Sequence, residues 1–299
     1  MIDSHINQEQ FAEVNGISLC YQTFGDPNNK PLLLIMGLAT QMIHWDLGFC
    51  QKLVDQGFWV IRFDNRDIGR STMLRGQKVP SIISVAANQL FGKKLEVLYD
   101  LHTMAADAVA LLDHLNIQAS HVVGASMGGM IAQCMSIDFP ERVLSLTSIM
   151  STTGDPSLPK PKKSVVLKVM KPAPKDPEAY LQYALNLWQL LNGTHYYFDK
   201  EKVGSFLQLA RERSFYPKGI WRQVCAILAS PDRTQALKQL TLPALVIHGD
   251  QDPLIPVACG IATASAIQGS ELMILEGMAH TLPEPLWEQI ISGIANIAR

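Results

Sequence analysis

His121-Val122-Val123-Gly124-Ala125-Ser126-Met127-Gly128-Gly129 places a serine between glycines at the junction of two different hydrophobic patterns. Residues 121–124 are a short apolar run, and Met127–Asp138 carries a helical period that stops before Pro140. The serine therefore stands where a strand turns at once into a helix. Such a turn is sharp and strained, and side chains two places before and after the serine would clash. Glycine at 124 and 128 removes those side chains. The pattern is the Gly-x-Ser-x-Gly nucleophile elbow, which presents a serine hydroxyl at the start of a helix. The helix N-terminus behind Ser126 also favours negative charge developing in front of it.

Working outward, Ile17–Phe24, residues 31–36, Phe58–Phe63, Val143–Ile149, and residues 244–248 and 272–275 read as further strands. The first of them reads as one arm of a hairpin. Residues 45–56, 103–115 and 283–297 have helical spacing. Strands alternating with helices of this length predict a mostly parallel sheet covered by helices on both faces. Residues 154–232 break the rhythm. They open with Pro159, Pro161, Pro172 and Pro174 among six lysines, a composition that argues against helix there. Helical patterns follow, starting at Asp176-Pro177. The expected organisation is a core of residues 1–153 and 233–299, with a helical cap of 154–232 inserted after the sixth strand. Ten of the 22 aromatic residues fall in that cap, about a quarter of the chain, and predict an apolar pocket. The lysine run reads as a solvated face.

A serine needs a base to take its proton. Downstream of Ser126 the histidines are His195, His248 and His280. His195 lies in the cap, and His248 ends an apolar strand and reads as a packed neutral side chain. His280 follows the strand at 272–275, at the carboxyl end where open α/β sheets put their sites. A carboxylate should orient that histidine from the loop after the preceding strand. Asp250 and Asp252 both qualify by position.

These motifs together resemble the α/β-hydrolase family, from about Asn15 to the C-terminus. The family's acid loop, His-Gly-x-x-Asp-x-x-x-Pro, is matched by His248-Gly249-Asp250-Gln251-Asp252-Pro253-Leu254-Ile255-Pro256. That match favours Asp252. Gly277-Met278-Ala279-His280 is similar to the family's Gly-x-x-His loop. The resemblance implies a triad of Ser126, Asp252 and His280. It also implies an oxyanion hole made by the backbone N–H groups of Met127 and Leu38. Met36 stands where the family usually has histidine, and Gly37 permits the tight turn. Trp45 and the cap's Trp188 are candidate substrate contacts with Gly37, although a plain core position suits Trp45 equally. Asp64-Asn65-Arg66-Asp67-Ile68-Gly69-Arg70-Ser71 resembles a family turn, with Asp67 replacing a glycine, and reads as structural ion pairing. This variant most resembles hydrolases related to aclacinomycin methylesterase. Proline iminopeptidases, with tryptophan in place of Met127, are further away.

The resemblance implies a serine esterase acting on a small to medium apolar ester through an acyl-enzyme, without cofactor or metal. A serine aminopeptidase, needing cap carboxylates such as Glu178, Glu201 or Glu212, is an alternative. So is a cofactor-free perhydrolase; a non-catalytic receptor or scaffold fits least, because all three triad residues are present. Asp-nucleophile dehalogenases and epoxide hydrolases are disfavoured by Ser126. The net charge of −2 disfavours a nucleic-acid partner. No apolar run approaches the roughly 20 residues of a membrane span. Residues 1–5 carry no basic or apolar leader pattern, so a cytoplasmic protein is expected, with a homodimer as a possible assembly. Five widely spaced cysteines read as reduced, mostly buried thiols.

Overall fold

Along residues 32–35 the side chains alternate between two cores. Leu33 and Ile35 join one and Leu32 and Leu34 the other, and all four are buried. A strand apolar on both sides belongs inside a sheet covered on both faces. A computed structural model describes residues 8–299 and gives an eight-stranded sheet. The leader reading at residues 1–5 lies outside the described residues.

The strands are β1 (Gln10–Val14), β2 (Ile17–Phe24), β3 (Lys30–Ile35), β4 (Phe58–Phe63), β5 (Ser120–Ala125), β6 (Val143–Ile149), β7 (Ala244–Gly249) and β8 (Glu271–Leu275). Their spatial order is β1-β2-β4-β3-β5-β6-β7-β8. β1 and β2 form the expected hairpin, turning through Asn15 and Gly16 at positive φ. β2 pairs antiparallel with β4, and every pairing from β4 to β8 is parallel.

The helices are α1 (Leu47–Asp55), α2 (Ile82–Phe91), α3 (Leu101–His114), α4 (Met127–Asp138), α5 (Lys163–Val169), α6 (Pro177–Asn192), α7 (Lys200–Arg213), α8 (Pro217–Ala229), α9 (Thr234–Leu237), α10 (Val257–Ala266) and α11 (Trp287–Ile297). α3 and α4 pack on one face of the sheet. α1 and α11 cover the other, where Ile290, Ile291 and Ile294 are buried. Each such side chain contributes roughly 1.5–3 kcal/mol of burial.

Helices α5 to α9 lie between β6 and β7. The proline-rich opening of that insertion contains α5 after all: residues 162–171 are free of proline, and the helix occupies that interval. α6 starts as its sequence predicts, with the Asp176 side chain capping Ala179 N–H and Pro177 in the first turn. α2 and α10 were not anticipated. All five cysteines are buried and free.

Candidate active site

β5 ends at Ala125 and α4 begins at Met127, leaving one residue for the turn. Ser126 takes that place at φ +57°, ψ −120°, a region costing a non-glycine residue on the order of 1–3 kcal/mol. The glycines are sterically required. A Cβ on Gly124 would lie 2.1 Å from the Gly128 carbonyl oxygen, and one on Gly128 2.0 Å from the Ile35 carbonyl oxygen. Ser126 remains half-buried rather than sealed.

His280 and Asp252 converge on it. His280 Nε2 lies 3.0 Å from Ser126 Oγ, and His280 Nδ1 lies 2.6 Å from Asp252 Oδ2. The other oxygen of Asp252 accepts the N–H groups of Leu254 and Ile255, both at 2.8 Å. Burial alone would raise the Asp252 carboxyl. The adjacent His280, the nearby His248 and the hydrogen bonds from His280 and Ile255 outweigh it and hold the group well below the usual carboxylate range. Asp250 does something different. It is exposed and accepts the Gly277 N–H at 2.7 Å, closing the histidine loop onto the acid loop. His248 is fully buried, as a packed histidine should be. It also sits beside the acid, with Nε2 2.8 Å from the Ile255 carbonyl and 3.6 Å from Asp252 Oδ2.

The loop after β3 approaches Ser126 closely: a Cβ on Gly37 would stand 3.1 Å from Ser126 Cβ. Several side chains hold this loop. Asn65 Nδ2 donates to the Met36 carbonyl at 3.0 Å, supplying a tether on a loop that lacks the family's histidine. Ala39 N–H donates to Gln223 Oε1 of α8 at 3.2 Å, and Met42 N–H to Asp64 Oδ1 at 2.7 Å. Asn65 and Gln223 were missed in the sequence; Asn65 stood in a conspicuous motif, whereas nothing marked Gln223.

Trp45 has no exposed surface and stacks on Phe49 at 5.6 Å, so it belongs to the core and does not wall a pocket. Trp188 stacks on His44 at 5.4 Å, and Phe206 meets the same ring edge-on. Half-buried and desolvated between these rings, His44 is pushed down to about 4. Tyr180 packs edge-on against Phe215, and Trp221 donates to the Pro80 carbonyl. These aromatics tie the insertion to itself and to the core. Glu178, Glu201 and Glu212 are exposed.

The turn from Asp64 to Ser71 is a set of ion pairs. Asp64 meets Arg213 of α7 at 2.7 Å, Asp67 meets Arg222 of α8 at 2.7 Å, and Arg66 meets Asp107 at 2.6 Å. Two of these arginines come from the insertion, so the turn also anchors it. The insertion reaches the histidine loop as well: His280 N–H donates to the Leu191 carbonyl at 2.8 Å, and Tyr196 Oη to the Glu276 carbonyl at 3.0 Å. Among the described residues no cluster of potential metal ligands occurs, and no helix is long and apolar enough to cross a membrane.

Comparison with known proteins agrees with this architecture. Residues 30–283 match the α/β-hydrolase fold family. The rhodomycin D methylesterase of Streptomyces peucetius is 30% identical, over 93% of this chain and 94% of its own. Among solved structures, the enol-lactonase from Burkholderia xenovorans LB400 superimposes with a TM-score of 0.73 at 20% identity, covering 96% of this chain and 99% of its own. The esterase RhEst1 from Rhodococcus sp. ECU1013 gives 0.73 at 19% identity, covering 97% and 98%. The chain belongs to the α/β-hydrolase fold family. Within it, this is an esterase-type hydrolase, and the sequence resemblance to methylesterases is matched by that 30% identity.

Proposed function

We propose that the chain is a serine esterase that cleaves a small to medium apolar carboxylic ester through an acyl-enzyme. The supporting observation is the continuous hydrogen-bonded chain from Ser126 Oγ through His280 to Asp252. Ser126 Oγ attacks the ester carbonyl while its proton passes to His280 Nε2. The Nδ1–H of His280 donates to Asp252, which fixes the tautomer and stabilises the imidazolium. The Leu38 and Met127 N–H groups receive the oxyanion. His280 then protonates the departing alkoxide, and water, deprotonated by the same nitrogen, releases the acid. None of these steps calls for a cofactor. Residues 154–232 act as a cap over the core of 1–153 and 233–299, with Trp188 and Gly37 on the substrate side. The five reduced thiols suit the cytoplasm.

The test is kcat/KM over p-nitrophenyl esters of rising acyl length and methyl esters of ring-bearing acids, beside amino-acid anilides and peroxide. Esters should be hydrolysed best, with a maximum above acetate, because each buried methylene adds about 0.8 kcal/mol. Monotonic decline from acetate on both the acyl and the alcohol side would remove the apolar-substrate reading. Turnover confined to anilides would remove the esterase reading.

A further inference from the structure

Two helices turn large apolar side chains to solvent. On α2, Ile82, Ile83, Leu90 and Phe91 are 74–82% exposed. On α5, Leu167 is 73% exposed, and Val166 and Met170 also face solvent. Single exposed aliphatic residues are ordinary, but two helices presenting them together mark an interface. Both are reached from the carboxyl ends of strands in the parallel part of the sheet. α2 joins the carboxyl end of β4 to α3, and α5 follows the carboxyl end of β6. These strands are parallel to β5, so this is the end at which Ser126 stands.

The same end carries segregated positive charge. Lys160, Lys162, Lys163, Lys168, Lys171 and Lys175 are all exposed, and no acidic residue occurs between Pro156 and Lys175. Lys78, Lys93 and Lys94 flank α2 and are exposed too. The whole chain is nevertheless at −2. Arg75, ahead of α2, Lys175, at the end of the lysine-rich stretch, and Lys218 line one groove of about 470 Å³ with no carboxylate among its lining residues.

We propose that this end of the molecule docks on an anionic lipid bilayer, with α2 and α5 lying in its interface. Aliphatic side chains entering the acyl boundary, beside lysines at lipid phosphates, are the physical complement of such a surface. A second copy of this chain is a poorer occupant, because a two-fold contact through this face sets lysine-rich stretches against each other. The inference does not depend on Ser126 or on which ester is cleaved.

The experiment is flotation of the full chain with vesicles of phosphatidylcholine alone and with about one third phosphatidylglycerol, at low and high salt. Wild type should float with the anionic vesicles at low salt and be released by salt. Ile83→Ser/Phe91→Ser should abolish flotation. Lys162→Gln/Lys163→Gln/Lys168→Gln should weaken partition about fivefold per lysine, roughly 100-fold together. Both variants alter exposed side chains and should keep wild-type turnover of a water-soluble ester. Wild type left unbound by both vesicle types would overturn the proposal, as would binding that either variant leaves intact. A dimer in sedimentation, lost in Ile83→Ser/Phe91→Ser without vesicle binding, would assign the face to a second copy and overturn it equally.

Discussion

At Ser126 a positive φ is held between two glycines whose hydrogen atoms are all the space allows. Steric necessity of that kind writes itself into sequence, which is why Gly-x-Ser-x-Gly was legible without a structure. The loop spacing favoured Asp252, and the two aspartates make different contacts. Asp252 touches His280, whereas Asp250 only ties the Gly277 N–H. Asp252→Asn should cost about 10⁴ in turnover, as loss of an orienting carboxylate does in the template triad. Asp250→Asn, which keeps an oxygen acceptor, should cost less than about tenfold. Steady-state kinetics on both variants, with folding checked by circular dichroism, decides it; the reverse ranking contradicts the assignment. Trp45 was not legible: an indole beside a site and one in the core look alike in sequence. Only its complete burial against Phe49 separates them.

Elements were legible where one face is buried and obscure where none is. α4 is buried along most of its length and α11 buries one stripe, Trp287, Ile290, Ile291 and Ile294, and both stood out. α2 exposes its apolar side chains, so its period pointed to no core. α10 is built of small residues, Val257-Ala258-Cys259-Gly260 onward, which blur any period. The contact of α8 with the oxyanion-side loop spans 184 positions in sequence and had no local signal. Gln223 is fully buried there, accepting from Ala39 and donating to the Arg66 carbonyl. In the proposed mechanism, these two hydrogen bonds make it a positioning residue for the Leu38 N–H. Gln223→Met keeps the volume and removes both hydrogen bonds. Loss of an oxyanion donor outright costs about 10²–10³ in kcat, so misplacing one should cost roughly 10–100-fold, with KM little changed. A variant with lowered Tm but unchanged kcat would make Gln223 a purely structural side chain.

For the molecule as a whole, the packed His44 and the buried His121 lower stability on the acid side. Burial pushes His44 down to about 4, and burial with the Lys30 charge pushes His121 there too. The unfolded chain binds protons at these positions near pH 6.5, the folded chain only near 4. Protons therefore favour the unfolded state in between, and stability falls as pH drops from about 6.5 towards 4. Each histidine contributes about 3 kcal/mol to that fall at most. Asp252, depressed in the fold, adds a further loss at lower pH. Urea midpoints should drop across this window and drop less in His44→Gln/His121→Gln; equal slopes would contradict the two-histidine origin. The mostly parallel sheet was legible because short apolar runs alternate with helical patterns along the chain, although α2, α5 and α10 were not. The way the insertion grips the core was not. It rests on pairs such as Arg213 with Asp64 and Arg222 with Asp67, distant in sequence and carried by side chains that also suit a surface.

If Ser126 alone carries the acyl group, a fluorophosphonate probe will label it and no other residue. Intact-mass measurement should show a single adduct per chain, with the modified peptide carrying it on Ser126. The adduct should be absent from Ser126→Ala, and ester turnover should fall by several orders of magnitude with the fold unchanged. An adduct on another serine, or ester turnover in Ser126→Ala near that of wild type, would contradict the account.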